Sequence, residues 1–287
     1  MKKRFFSPAK INLCLHVLGK RSDGYHDLAM LMQALDFGDT VEIELTDYPG
    51  EVIVDCAGVE LANGQDNIAA KAARQMLELS TQKVGVRIAI DKKIPVAAGL
   101  GGGSSNAATT MVGLNELLDL KLSREELMAH GVKLGADVPF FIFGDRAWAT
   151  GIGDQLESVP QLPLAWYVLV NPGIAISTAW VYQNLGLTAP AILTKLPRFP
   201  NTIADLVAIL ENDLERITIQ HYPLLAEIKE KLAGCGAKGS LMSGSGATVF
   251  GLFAKEDSAI AAAKFLRNTT DWRVITARPL SADSHKD

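Results

Sequence analysis

The chain predicts an α+β protein of two domains, and three observations carry that reading. Its 287 residues are close to twice the usual domain length, taken as roughly 150. Segments alternating apolar and polar residues mix with segments of helical period, without a regular βαβ alternation. Hydrophobic residues make up 48% and charged residues 21%, which suits a packed core and excludes a disordered chain.

The elements follow in order. Ile11, Leu13, Leu15 and Val17 alternate with Asn12, Cys14, His16 and Leu18, the period of a half-buried strand. Lys10, Asn12, Cys14 and His16 then share its other face. Ser22-Asp23-Gly24 marks a turn into Tyr25-His26-Asp27. Strand-like runs come next at 28–35, 41–45 and 52–55. Asp66 reads as the cap of a helix whose apolar face is Ile68, Ala72, Ala73, Met76 and Leu77. Val86, Ile88 and Ile90 form another alternating strand. A glycine-rich segment opens into a helix with Ala107, Met111, Leu114 and Leu118 on one side. Ser123 with Glu126 makes a capping box for a helix ending near Gly131. Gly135 to Pro139 reads as a loop, followed by apolar runs through Trp148.

Gly151 to Pro163 is rich in glycine and proline and reads as a connection. The domain boundary falls there, giving 1–155 and 156–287. The second half predicts a strand at 166–170, a helix around 178–185 and a proline-punctuated loop at 190–200. Helices near 202–210 and 224–232, a Gly/Ser-rich loop, a strand at 248–253, a helix at 258–268 and a strand at 272–277 complete it.

Lys plus Arg is 28 and Asp plus Glu is 32, a net charge of −4. That balance gives no global attraction to nucleic acid or an anionic membrane, so any phosphate must be bound by a local site. Cys14, Cys56 and Cys235 are too few and scattered for a disulfide framework, and none forms a C-x-x-C pair. The longest apolar stretches, such as Leu164 to Val170, fall short of the ~20 residues that span a bilayer. The basic start, Met1 to Phe6, imitates a signal segment until Lys10 and Asn12 interrupt it. The expectation is a reduced, cytoplasmic protein with neither nucleic-acid nor membrane partners.

The strongest local motif is Pro95-Val96-Ala97-Ala98-Gly99-Leu100-Gly101-Gly102-Gly103-Ser104-Ser105. Consecutive glycines let backbone N–H groups converge on an anion, and a helix beginning afterwards adds its own orphan N–H groups. No lysine follows as in a Walker A loop, and Ser104 or Asn106 stands where a dinucleotide fingerprint needs its last glycine. The segment reads as a phosphate cradle, with a flexible linker as the bland alternative. A second cluster, Gly239 to Ala247, reads alone as a glycine turn before a strand. Lys10 reads as a site cation or as a snorkelling surface lysine. Asp137, in apolar company, reads as a catalytic base or as a helix N-cap. His26 reads as a ligand or a turn histidine, and no second group at metal-ligand spacing supports a metal there.

Ser7 to Asn12, Pro95 to Asn106 and Gly239 to Ala247 together resemble the three motifs of the GHMP kinase superfamily. Leu18 to His26, Leu134 to Pro139 and Asn171-Pro172-Gly173 resemble the branch whose acceptor is a cytidine diphosphate-linked methylerythritol. The resemblance spans nearly the whole chain. It implies an N-terminal ATP domain like ribosomal protein S5, a C-terminal ferredoxin-like α/β plait, and an active site between domains. It implies transfer of phosphate from ATP to the acceptor's 2-hydroxyl, with Mg²⁺ as the second cofactor. Asp137 then matches the general base. Lys10 matches the lysine that lowers the base's pKa and stabilises the γ-phosphoryl charge. Asn12, Tyr25 and His26 match the cytidine side, and Thr178 and Tyr182 its other wall, with Tyr182 where the family commonly has Phe. Ser105 is a candidate metal ligand, and no glutamate stands out. The implied partner is the small molecule alone, with a homodimer neither proposed nor excluded.

Overall fold

A computed structural model describes residues 1–57, 67–186 and 199–281. The chain opens with two long strands, β1 (Lys2–Lys20) and β2 (His26–Thr46), joined by the turn at 21–25. After β3 (Val52–Asp55), α1 (Ile68–Glu78), β4 (Gly85–Asp91), α2 (Gly102–Leu117) and α3 (Arg124–Gly131) come α4 (Val138–Phe143), β5 (Arg146–Thr150) and β6 (Gln155–Glu157). Then follow β7 (Trp166–Asn171), α5 (Thr178–Gln183), α6 (Ile203–Ala208), β8 (Glu211–Asn212), α7 (Asp213–His221) and α8 (Leu224–Gly234). The chain ends with β9 (Gly239–Met242), β10 (Val249–Phe253), α9 (Glu256–Thr269) and β11 (Arg273–Ala277). Among the described residues no helix is long and apolar enough to cross a membrane.

Two compact units share this chain discontinuously. The first comprises residues 1–9, 38–96 and 101–144, and the second residues 10–37, 97–100 and 145–287. In the first, β4 pairs antiparallel with β2 from Thr40↔Asp91 to Thr46↔Gly85, and β3 adds in parallel. Helices α1, α2, α3 and α4 pack on one another. Val41, Ile43, Ile88, Ala72, Met76, Met111 and Leu114 are among the buried side chains they enclose. The α1 face is mostly alanine, which lets its backbone approach closely, and Asn67 caps it by accepting the Ala69 N–H. The expected cap, Asp66, lies outside the described residues.

In the second unit, β7, β9, β10 and β11 form an antiparallel sheet in the order β11-β7-β10-β9. Counted along the chain that order is 4-1-3-2. Helix α8 between the first and second strands and α9 between the third and fourth make it a ferredoxin-like plait. The α+β class expected from the sequence holds.

Several boundaries differ from expectation. The runs at 28–35 and 41–45 are one continuous strand, β2. The first strand is buried on both faces through its middle rather than half-buried, with Cys14 and Ile11 alike fully covered. Helix α2 begins at Gly102, so the glycines and serines expected in a loop are its first turn. Val138 and Pro139 open a helix, and Gly239 to Met242 is a strand rather than a loop. The capping box at Ser123 and Glu126 is present as expected. Part of the proline-punctuated loop at 190–200 lies outside the described residues.

Candidate active site

In the first unit the phosphate-loop motif supplies Gly101 to Ser105. Gly101 caps α2 in the left-handed region at φ 70, and the Ser105 N–H already donates to the Gly101 carbonyl at 2.9 Å. The N–H groups before it have no carbonyl one turn back to reach. Ser104 is partly exposed, and its hydroxyl lies 3.7 Å from where a Cβ on Gly135 would stand. It therefore faces the segment that carries Asp137. Asp137 occupies the N-cap position of α4 with right-handed helical torsions, and its side chain makes no capping bond. Asp137 is thus the N-cap residue by position, as one reading of the sequence has it, but it does not cap through its carboxylate.

Ser105, the candidate metal ligand, is fully buried, its Oγ 2.8 Å from Ser7 Oγ. Ser7 Oγ also accepts Asn106 Nδ2 at 2.8 Å. Asn106 Nδ2 donates in addition to Asp39, whose buried carboxylate accepts the Lys93 and Ile94 N–H groups at 2.7 Å each and pairs with Lys92. This network fixes the backbone just before the loop and the first turn just after it. A carboxylate so fully used sustains its burial, because every lone pair meets a donor.

In the second unit the loop supplies Ala97 to Leu100, and its carbonyls are captured in succession. Thr248 N–H donates to Ala98 O at 3.2 Å, Ser243 Oγ to Gly99 O at 2.9 Å, and Lys10 N–H to Leu100 O at 3.0 Å. In a planar trans peptide the N–H points opposite to the C=O. Capturing three carbonyls therefore leaves the N–H groups of residues 99 to 101 each pointing away from its carbonyl's partner. Gly99 sits at φ +75, and a Cβ there would come within 2.0 Å of the Ser243 carbonyl oxygen. Only glycine fits that approach. Pro95 and Val96 precede it in the first unit.

Lys10 is 4% exposed, and its ammonium donates to Asn12 Oδ1 at 2.6 Å. Positions two apart on a strand share a face, which is why this pair meets. His26 stacks on Tyr182 with ring centroids 4.9 Å apart and planes at 24°. Burial, and then the charge of Lys20, hold the His26 imidazole below its ordinary range, so it is neutral near pH 7 with one donor and one acceptor. Thr178 Oγ1 lies 2.8 Å from Ser245 Oγ. Tyr25 stands 59% exposed. Lys10 lies in the second unit and Asp137 in the first.

With this geometry in view, comparison with known proteins is direct. The family model described as "GHMP kinases N terminal domain" matches residues 67–145, and "GHMP kinases C terminal" matches 193–270. A protein of Geobacter sulfurreducens named 4-diphosphocytidyl-2-C-methyl-D-erythritol kinase is 56% identical over 274 residues, covering 96% of this chain and 98% of its own. A Syntrophotalea carbinolica protein of the same name is 53% identical over 277 residues, with 96% and 99% covered. The chain belongs to the 4-diphosphocytidyl-2-C-methyl-D-erythritol kinase family of GHMP kinases. A crystal structure titled as 4-(cytidine 5'-diphospho)-2C-methyl-D-erythritol kinase superposes on this kinase with a TM-score of 0.77 at 33% identity, covering 97% of this chain and all of that one.

The family motifs lead to Lys10, the phosphate loop and the Gly239–Ala247 segment, but not to the groups that hold them. Asp39 falls in the gap between the strand-like runs at 28–35 and 41–45, although β2 runs straight through it. Asn212 begins a helix that the sequence reading missed. Its Asn-Asp-Leu-Glu pattern is a usable N-terminus signal.

Proposed function

We propose that this kinase transfers the γ-phosphoryl group of ATP to the 2-hydroxyl of 4-diphosphocytidyl-2-C-methyl-D-erythritol. The products are the 2-phosphate and ADP, a step of non-mevalonate isoprenoid synthesis. The observation that carries the nucleotide half is the capture of three successive carbonyls at Ala98, Gly99 and Leu100. It leaves a run of N–H groups for phosphate oxygens beside the start of α2. The names borne by the relatives carry the acceptor half, supported by a neutral His26 stacked on Tyr182. Such a pair offers a ring face and a hydrogen bond to a pyrimidine.

In this reading Asp137 accepts the proton of the 2-hydroxyl as it attacks phosphorus, and Lys10 stabilises negative charge on the phosphoryl group in transit. Phosphoryl transfer asks for alignment and charge stabilisation more than covalent chemistry. Asn12 keeps the Lys10 ammonium oriented through its 2.6 Å bond. Tyr25 stacks on cytosine from its exposed turn, and Thr178 closes the same pocket from α5. The donors that suit Mg²⁺ in the first unit are hard oxygens, the Ser104 hydroxyl and the Asp137 carboxylate, with Ser105 committed to Ser7. Bound there with ATP, the ion would neutralise phosphate charge. The division at 1–155 and 156–287 stays a proposal in chain order, while the compact units themselves interleave along the chain. The three unpaired cysteines suit a cytoplasmic location.

The test is a single assay. Purified protein with ATP, Mg²⁺ and the cytidylylated methylerythritol should yield ADP and a monophosphorylated acceptor in equal amounts, while mevalonate and homoserine yield none. Absence of acceptor-dependent ADP release would defeat the proposal. Asp137→Asn should lower kcat by about 10²–10⁴-fold in a folded protein, the usual worth of positioned proton transfer. Near-normal turnover in that variant would remove Asp137 as base.

A further inference from the structure

The loop between β9 and β10 touches both ligand sides of the second unit. Ser243 Oγ donates to the Gly99 carbonyl at 2.9 Å on the nucleotide side. Ser245 Oγ lies 2.8 Å from Thr178 Oγ1 on the acceptor side. Between them Gly244 is close-packed: a Cβ there would lie 3.3 Å from the Gly99 carbonyl oxygen and 3.6 Å from Asn12 Oδ1.

One side chain sets where this loop lies. Asn212 is 6% exposed, and its amide nitrogen donates to two carbonyls two residues apart, Met242 O and Gly244 O, each at 2.8 Å. Its Oδ1 accepts the Leu214 N–H at 3.0 Å, capping α7. Its backbone pairs with β1 at Leu15, five residues beyond Lys10. Glu215, one turn into α7, accepts the Met242 N–H at 2.9 Å and holds Lys229 at 2.5 Å. The strand end and the loop apex are therefore both tied to α7.

We propose that Asn212 is a positioning residue for the kinase reaction. Through its two donors it fixes the 242–246 loop, and the loop in turn holds Gly99 and Thr178 in their working places. The assignment rests on the reaction proposed above. A cap alone does not require asparagine, since aspartate, serine and threonine cap helices comparably. The two donated bonds do require it: aspartate has no N–H and would set a charge against two carbonyl oxygens, and a hydroxyl has one proton to give.

That difference supplies the test. Asn212→Asp keeps the cap and removes both donors, and it should raise KM for ATP and KM for the cytidylylated acceptor by about tenfold or more each, with kcat falling as well. Parameters near wild type would show that the cap is its whole role and overturn the assignment. A lowered melting temperature with unchanged kinetics per folded molecule would overturn it equally. If Asn212→Asp does not fold, Ser243→Ala and Ser245→Ala decide the matter. The first should raise KM mainly for ATP and the second mainly for the acceptor, and identical or absent effects overturn the proposal. An inactive wild type would defeat the reaction and this assignment together. An active wild type with an indifferent Asn212→Asp defeats this assignment alone.

Discussion

The middle of β1 and the turn that follows it carry different parts of the proposed site and are built in opposite ways. From Ser7 to Leu15 nearly every side chain is covered, with Lys10 at 4% and Asn12 at 1% exposure. Ten residues later Tyr25 stands 59% exposed on a turn held by local bonds. These are Arg21 N–H to Tyr25 O at 2.8 Å and Tyr25 N–H to Asp23 Oδ1 at 3.0 Å. A charge assigned to the reacting phosphate gains from a low-dielectric, immobile setting. A ring assigned to a base gains from access. Changes in the first region should therefore strike turnover or the fold, and changes in the second should strike recognition alone.

The sharpest way to break this contrast is Lys10→Met, which removes the buried ammonium and keeps the bulk of its stem. We expect kcat to fall by about 10²–10³-fold, the usual worth of one preorganised charge-stabilising group, with the fold intact by circular dichroism. Turnover within a few-fold of wild type would place the chemistry elsewhere. Gly99→Ala comes next, forcing a Cβ against the Ser243 carbonyl at a left-handed φ of +75. It should cost about 1–3 kcal/mol in denaturant unfolding and weaken ATP binding. An unchanged midpoint would mean that the loop can shift freely. Tyr25→Ala should raise the acceptor KM by about tenfold, in the range of one base–aromatic stack, and leave the melting temperature unmoved. A loss of stability there would erase the contrast.

The smallest effect tests β1 beyond Lys10 and Asn12. The Asp213 carboxylate, 3.8 Å from Nδ1, and then Cys14 push His16 up to about 10, against burial. Burial alone would raise Asp213, but His16 and the Val17 N–H hold it below its usual range. Because the folded value lies above the unfolded 6.5, the stability His16 contributes is complete below about pH 6.5 and is lost as pH rises toward 10. The melting-temperature gap between wild type and His16→Gln should thus be widest near pH 6 and shrink by pH 10. A gap constant with pH would show that the imidazolium contributes nothing.

Much of the fold was legible in the sequence where a capping signal is strong, as at Ser123 and Glu126, or where an apolar period is long, as along α9. It was not legible where tertiary contacts override local signals. Gly102 and Gly103 are poor helix formers, yet α2 starts on them. Helix α7 buries only Leu214 and Thr218, too thin a stripe to show a period. The two residues of β8 carry no alternation at all. Of the candidate site, Lys10, Asn12 and the phosphate loop were legible through motifs. Asp39 and Asn212 were not, because their roles come from partners 53–67 and 30–32 residues away.

The three captured carbonyls at Ala98, Gly99 and Leu100 have one more consequence. A backbone tied at consecutive peptides by the protein's own groups has little freedom left to surrender to a nucleotide. Association then forfeits less ordering entropy than a floppy glycine-rich strap would demand. Encounter need not wait for the strap to find its shape.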